Sequence, residues 1–191
     1  MTSLDMLLAD LTSGDETLAE AAANSLALVG ASALPRLQTL LESSNADYRW
    51  WAVRTLAQFD APPLEWLTRS LNDPAPEVRE AAALALSSHP EEKSVPALIH
   101  ALSDSDSMVG TLAANALVLI GSVAVPSLLE RYENSPLNAR IHILHALAEI
   151  RDHRAIQLMM KAMDSGSAML NYWAREGIER LGLNMVYIKP D

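Results

Sequence analysis

The residues best placed to do chemistry in this sequence are two histidines separated by three positions. His142 and His145 are followed by Glu149, four positions after the second histidine. On a helix this spacing brings the three side chains towards one face, where they could hold a metal ion. Ordinary packing or surface histidines are the alternative that we favour, because the repeat described below gives the two rings different surroundings. We therefore predict no metal site and no cofactor.

Sequence motifs for catalysis are absent. The chain contains no cysteine, which excludes a thiol nucleophile, a thiolate metal site and a disulfide framework. It also lacks the G-x-x-x-x-G-K-[ST] loop, the G-x-S-x-G elbow and the H-E-x-x-H helix. Acidic pairs such as Glu91 with Glu92 fall in predicted turns, where solvation or helix capping explains them. The sequence therefore predicts no catalytic residue and a protein that is not an enzyme.

A short helical pattern returns six times at intervals of 30 or 31 residues. Four positions after its first residue, five of the six copies have alanine, and eight positions after it five have leucine. Positions separated by four and eight residues lie on one face of an α-helix, so each copy predicts an amphipathic helix with a small residue at its closest contact. Repetition at a fixed period is typical of stacked repeat proteins. The first residues of the copies, which we call anchors, are Leu18, Tyr48, Val78, Val109, Ala139 and Leu170.

A second amphipathic stretch follows each of the first five helices, and most copies enter it through a proline, which the first turn of a helix tolerates. These second helices are predicted at residues 34–41, 64–71, 95–102, 125–132 and 156–163. Gly30 and Gly121 are placed to end the preceding helices with a left-handed turn. The prediction is an all-α superhelix of about six repeats with half-repeat caps. It forms a single domain 1–191, with a capping helix at 3–12, repeats from about 15, 45, 75, 106, 136 and 166, and a tail at 183–191.

Charge and hydropathy restrict the partners of the chain. The formal net charge is −10, from 24 acidic and 14 basic side chains, and this excess repels nucleic acid phosphates. The stretch 107–129 is uncharged and long enough to cross a membrane, but the repeat divides it between two helices. The N-terminal residues lack the pattern of a secretory signal. We predict a cytoplasmic protein that binds neither nucleic acid nor membrane, and the oligomeric state is left open.

The third repeat carries the clearest resemblance to a known family. It reads V-R-E-A-A-A-L-A-L from residue 78 and V-P-A-L-I-H-A-L from residue 95. This pattern resembles the short HEAT-like repeat named after the phycobilin lyases, and the resemblance runs from about residue 15 to residue 182. It implies a HEAT-like solenoid whose second helices line the concave face. It also implies that Arg49, Arg79 and Arg140, which follow their anchors, pair with acidic residues of neighbouring turns, for which the candidates are Asp47, Asp73 and Glu77.

The resemblance leaves several functions open. HEAT-like deoxyhypusine hydroxylases carry His-Glu dyads, and this sequence contains none. HEAT-like alkylpurine DNA glycosylases need a basic concave face, which the net charge disfavours. Phycobilin lyase subunits hold a bilin or its acceptor protein. We expect a non-enzymatic scaffold or adaptor that binds a protein or peptide in the concave groove, with a phycobilin lyase-like subunit as the alternative.

Helical phase selects the surface that would bind a partner. In the second helices, outward positions are held by Trp66 and by several basic residues, and tryptophan and arginine dominate binding hot spots. On an opening helix, Trp50 is an aromatic residue on the face predicted to be convex. For Trp66, the alternative is that it folds over Pro62 and Pro63 and closes a local gap. The predicted partner-binding residues are Arg36, Trp66, Arg69, His100, Lys161 and Trp50.

Overall fold

The computed structural model describes residues 3–183, and within that range it contains twelve α-helices and no strand. The chain divides into two compact units, residues 1–89 and 90–191. The predicted tail at 183–191 lies, apart from its first residue, outside the described residues. The single domain 1–191 stays a prediction.

The first unit contains six α-helices and the short 3-10 turn Gly30–Ala33. Its helices are α1 (Ser3–Leu11), α2 (Glu16–Val29), α3 (Leu34–Leu41), α4 (Ala46–Leu56), α5 (Leu64–Ser70) and α6 (Pro76–Ser88). The opening helices α2, α4 and α6 pack on one another in series. The helices α1, α3 and α5 each pack on the opening helix that follows them in the chain.

The second unit repeats this arrangement. Its helices are α7 (Val95–Ala101), α8 (Ser107–Ile120), α9 (Val125–Tyr132), α10 (Leu137–Ile150), α11 (Ile156–Met163) and α12 (Ala168–Arg180). The opening helices α8, α10 and α12 pack in series, and α7, α9 and α11 each pack on the next opening helix. Helices α3, α9 and α11 have the predicted bounds, and α5 and α7 end one residue earlier than predicted.

The repeated small and leucine positions form the core. The residue four positions after each anchor is buried in all six copies, and so is the residue eight positions after it. Alanine at the first of these positions brings the backbones of neighbouring helices close together, and leucine at the second fills the space between them. Apolar burial of this kind is the main favourable term in folding. The sequence therefore predicts the core correctly.

Side chains cap most of the opening helices at their first turn. The residue three positions before the anchor is the N-cap, and its side chain accepts backbone N–H bonds in four of the six helices. Asp106, for example, accepts from the backbone N–H of Met108 at 2.7 Å. Such a bond satisfies a donor that has no partner within the helix. The four caps are Asp15, Asn45, Asp106 and Ser167, whereas Ala75 and Pro136 hold this position in the other two helices.

The two glycines between helices have the conformation that their positions require. Gly30 has a φ of 72° and Gly121 a φ of 81°, a region that favours glycine because it has no Cβ. At the equivalent position of the fifth repeat, Arg151 takes the left-handed conformation with a φ of 58°. The first and fourth repeats therefore share one turn conformation, with ψ values of −144° and −145° at the glycine, whereas Arg151 has a ψ of 42° and bears the steric cost of a left-handed residue with a side chain.

Two apolar stretches bear on the question of a membrane. The segment Glu16–Leu41 is long and apolar enough to cross one by length and composition, with a mean hydropathy of 1.2. Within it, the helical backbone changes at Gly30 into a 3-10 turn before α3 begins. The stretch 107–129 is divided between α8 and α9, as the repeat predicts.

Overpacking the contact at Ala82 is expected to destabilise the fold. Ala82 is fully buried on α6, so Ala82→Phe should lower the free energy of unfolding by about 1–3 kcal/mol, because the larger side chain has no space. Chemical denaturation measures this change. The control is Ala21→Phe at an exposed position of α2, which should change stability by less than about 0.5 kcal/mol. Equal stabilities of the two variants would show that the repeat register is wrong.

Candidate functional site around Trp66

The structure brings together two of the six predicted partner-binding residues. Trp66 and Arg69, on α5, line one cavity of the first unit. Trp50 lines a different cavity of the same unit. Arg36 is exposed on α3 and lies 3.6 Å from the carboxylate of Asp5, outside both sets of lining residues.

The other two predicted residues belong to the second unit. His100 is exposed at the end of α7. Lys161 is exposed on α11, and its ammonium group donates a hydrogen bond of 2.6 Å to the carboxylate of Glu133. The role of all six residues in binding a partner stays a prediction.

The cavity beside Trp66, which we call the Trp66 cavity, has a volume of about 410 Å³. It lies between α3, α5 and the turns that follow them. This volume falls within the range of about 300–1,000 Å³ that is usual for small-molecule sites. The lining residues are Gln38, Leu41, Glu42, Ser43, Arg49, Trp66, Arg69, Ser70, Asn72, Asp73 and Pro74.

A part-buried ion pair forms one wall of the Trp66 cavity. Arg49 donates two hydrogen bonds to the carboxylate of Asp73, at 2.6 Å and 2.7 Å, and a third of 2.9 Å to the backbone carbonyl of Ser43. The hydrogen bond with Asp73 raises the pKa of Arg49 above its ordinary value, although burial acts in the opposite direction. The pair joins the turn after α3 to the turn after α5. Because its donors are occupied, Arg49 positions this wall and is a poor candidate for binding a ligand.

Trp66 and Arg69 are two lining residues whose side-chain donors remain available. The side chain of Trp66 is half-buried and that of Arg69 is exposed, at positions three residues apart on α5. Within residues 3–183, neither the indole N–H of Trp66 nor the guanidinium of Arg69 has a hydrogen-bond or ion-pair partner. Together they offer an aromatic surface, one indole donor and a full positive charge. This combination suits a flat ligand or a protein segment that carries a carboxylate.

The arginines that follow the anchors behave in part as the resemblance implies. Arg49 pairs with Asp73, which was one of the three candidate acids. Arg79 donates to the backbone carbonyl of Asp73 at 2.9 Å, and Arg140 donates to that of Glu133 at 2.7 Å. In these repeats the arginine therefore fixes the turn before its own helix. Of the other candidate acids, Asp47 lines the cavity of Trp50 and Glu77 is exposed in the first turn of α6.

In the fourth repeat a glycine replaces this arginine, because the ring of His142 leaves no space for a side chain there. Gly110 occupies the arginine position, and a Cβ atom added there would lie 2.7 Å from Nε2 of His142. His145 packs on the ring of Trp173, with the centroids 4.4 Å apart. The two rings therefore have different neighbours. Within the described part of the chain no group of three or more histidine, cysteine or acidic side chains could hold a metal ion.

Burial makes the stability that both histidines contribute depend on pH. It lowers the pKa of His142 below 6.5, and the charge of His145 lowers it further. Burial also lowers the pKa of His145, where Glu149 raises it and Arg180 lowers it. The unfolded chain therefore binds protons at a higher pH than the folded chain. Stability from these residues is complete above pH 6.5 and is lost as the pH falls through their lowered pKa values.

We expect the melting temperature to report this titration. Between about pH 7 and about pH 5 the wild type should lose more thermal stability than the double variant His142→Gln with His145→Gln, because glutamine does not titrate. Thermal melts at a series of pH values measure the two slopes. The matched control is Gln58→Ala at an exposed position, which removes no titratable group and should leave the slope of the wild type unchanged. Parallel slopes for the wild type and the double variant would contradict this account.

Comparison with known proteins identifies the repeats. The family model for HEAT repeats matches residues 4–87 and also residues 64–140. The bilin biosynthesis protein RpcF from Synechococcus sp. (strain WH8020) is 32% identical over 96 residues, which cover 50% of this chain and 45% of the relative. A phycocyanobilin lyase subunit beta from Pseudanabaena tenuis is 35% identical over 78 residues, which cover 41% of this chain and 28% of the relative. The matched parts thus span less than half the length of these relatives.

Solved structures agree on the fold. A chain in the complex of CpcE and CpcF of phycocyanin lyase from Nostoc sp. PCC7120 superposes with a TM-score of 0.59 at 25% identity, over 75% of this chain and 97% of that chain. A computationally designed armadillo repeat protein for modular peptide recognition gives a TM-score of 0.53 over 93% of this chain and 99% of its own. At 17% identity this second match shows the fold alone. The predicted all-α solenoid class is confirmed.

The comparisons correct one prediction. The chain was predicted not to be an enzyme, and this prediction is wrong because the relatives are named as phycocyanobilin lyase subunits and a bilin biosynthesis protein. Sequence motifs reveal nucleophiles and metal ligands. A subunit that contributes to a reaction by binding and positioning other molecules carries no such motif. The chain belongs to the HEAT repeat family, and its repeats are of the phycobilin lyase type.

Proposed function

We propose that this chain is a subunit of a bilin lyase-type enzyme and that it binds a bilin or the protein that accepts the bilin. The observation that carries the proposal is the sequence match to proteins named for bilin biosynthesis and bilin lyase activity. The structural match to a chain of a phycocyanin lyase, which covers 97% of that chain, supports it. From the sequence alone, this function is the alternative to a non-enzymatic scaffold.

Within this proposal, the Trp66 cavity is the binding site. A bilin is a linear tetrapyrrole that carries carboxylate groups, so it needs a flat apolar surface and a cation. The indole of Trp66 supplies the surface, and the guanidinium of Arg69 can donate two hydrogen bonds to one carboxylate. An acceptor protein would use the same two side chains, since tryptophan and arginine are the commonest residues of binding hot spots.

The role of the chain in the reaction is to bind and position. These 191 residues contain no cysteine, so a thiol that receives a bilin must lie outside them. Holding the bilin or its acceptor in a fixed orientation lowers the entropic cost of bringing the two together. We also propose that the chain acts with a second protein, because the lyase that it resembles was solved as a complex of two proteins.

Two binding measurements test the proposed function. Free phycocyanobilin is titrated into the purified chain and the visible difference spectrum is recorded, and in parallel the chain is passed over immobilised phycocyanin apoprotein. We expect a saturable difference spectrum, retention on the apoprotein, or both. A designed armadillo repeat protein serves as the control for unspecific binding to a helical solenoid. A flat difference spectrum together with no retention would contradict the proposal.

A further inference from the structure

The second cavity of the first unit has walls that differ in chemistry from those of the Trp66 cavity. This cavity, which we call the Trp50 cavity, has a volume of about 440 Å³ and lies where α1 ends and where α2 and α4 begin. The rings of Trp50 and Trp51 stand at 84° to each other with their centroids 4.8 Å apart. Tyr48 adds a third aromatic lining residue. Two indoles at a right angle form an aromatic corner.

The charges that line the Trp50 cavity are negative. Glu16 and Asp47 line it, and none of its described lining residues is basic. In the part of the chain that the structure describes, neither carboxylate has an ion-pair partner. Glu16 and Asp47 lie in the first turns of α2 and α4. There they stabilise the two helices, because each helix N-terminus carries about +0.5 of a charge. Two carboxylates outweigh two such termini by about one unit of negative charge, so the cavity attracts a cation.

One arginine of this chain, Arg54, already contacts both an indole ring and a carboxylate. The guanidinium of Arg54 lies 5.5 Å from the centroid of the Trp50 ring and donates to the carboxylate of Glu20 at 3.1 Å. A planar guanidinium can stack on an indole and bond a carboxylate with two donors, which an ammonium group cannot do. The Trp50 cavity offers the same kinds of group, with Trp51 as a further indole and the carboxylates of Glu16 and Asp47.

We infer that the Trp50 cavity binds the side chain of an arginine that belongs to a partner protein. The guanidinium stacks on one of the two perpendicular indoles with its edge towards the other, and the carboxylates of Glu16 and Asp47 accept its hydrogen bonds. The inference does not depend on the proposed lyase function, because it concerns a different cavity and a different ligand. The net charge of −10 favours an encounter with a basic surface in either case.

The indole signals of the four tryptophans test this inference directly. N-acetyl-arginine amide is titrated into ¹⁵N-labelled protein, and the indole signals, assigned by Trp→Phe variants, are followed by NMR. We expect saturable shifts of Trp50 and Trp51, with Trp66 and Trp173 unmoved, and no shifts with the neutral citrulline analogue. Shifts of similar size with N-acetyl-lysine amide would overturn the assignment to arginine. Unmoved signals of Trp50 and Trp51 would overturn the site.

A pair of variants with equal charge separates the cavity from general attraction to an acidic protein. Glu16→Gln with Asp47→Asn should weaken binding of the arginine probe at least about 10-fold, which corresponds to about 1.4 kcal/mol. Asp60→Asn with Glu179→Gln changes the net charge equally at two exposed positions outside the cavity and should leave the affinity unchanged. Equal losses in the two double variants would overturn the inference. Circular dichroism verifies that both are folded.

Discussion

Replacing Arg49 with leucine is expected to lower the free energy of unfolding by about 3 kcal/mol, because it leaves the part-buried carboxylate of Asp73 without its charged partner. The side chains of the two residues are only 11% and 9% exposed, so water can replace the lost hydrogen bonds only in part. The variant also frees the backbone carbonyl of Ser43, to which Arg49 donates. Denaturant unfolding, followed by circular dichroism, measures the change.

An exposed ion pair provides the control for this variant. The ammonium group of Lys93 lies 3.2 Å from the carboxylate of Glu91, and the two side chains are 61% and 57% exposed. Exposed pairs contribute little, so Lys93→Leu should cost less than about 1 kcal/mol. If the two variants lose the same amount of stability, the pair of Arg49 and Asp73 does not hold the two turns together.

Removing the aromatic surface and the cation of the Trp66 cavity is expected to reduce affinity strongly. The double variant Trp66→Ala with Arg69→Gln should weaken the binding of phycocyanobilin or of phycocyanin apoprotein at least about 100-fold, since each side chain of a hot spot contributes about 2 kcal/mol or more. Absorbance titration measures the first ligand, and retention on immobilised apoprotein measures the second. Arg69 is exposed and Trp66 half-buried, so the fold should persist.

Arg36→Gln is the matched control. Arg36 was predicted from helical phase to belong to the same binding surface, but it does not line the Trp66 cavity. Its replacement should therefore change the affinity less than about twofold, which corresponds to less than about 0.5 kcal/mol. A loss comparable with that of the double variant would show that the ligand binds across a wider surface than the cavity.

The positions of the helices could be predicted from the sequence because the repeat supplies six copies of the same information. The position four residues after each anchor is mostly alanine, and the position eight residues after it is mostly leucine. Both positions are buried in every copy, and this periodicity fixes the helical phase. Leu18 is an exception among the anchors, since it is 48% exposed whereas Val78 and Val109 are buried. In the described chain α2 packs on α1 and on α4 but on no earlier opening helix, so the anchor of the first repeat is less covered than the later ones.

The candidate site could be predicted only in part. Helical phase correctly gave Trp66 and Arg69 the same face of α5, but it could not show that Arg36 turns towards Asp5 on another helix. It also placed Trp50 on a face open to water, whereas the ring is half-buried beside Trp51 and beneath Arg54. Such contacts depend on side-chain rotamers and on residues distant in the chain, which periodicity does not encode.

The function was less accessible from the sequence than the fold. Nucleophiles and metal ligands leave recognisable motifs, but a binding surface is made of common residues whose spacing carries no signature. Trp66 and Arg69 differ from any exposed tryptophan and arginine only in that they flank a cavity. The lyase alternative arose from the resemblance of the repeats, and the comparisons with lyase subunits support it over a scaffold without activity.

The central claim, that the Trp66 cavity binds the bilin or its acceptor, is tested most directly by the indole signal of Trp66. The ¹⁵N-labelled chain is saturated in turn with phycocyanobilin and with phycocyanin apoprotein. We predict that at least one of them shifts or broadens the signal of Trp66 more than those of Trp50, Trp51 and Trp173. A Trp66 signal that is unchanged by both would contradict the account.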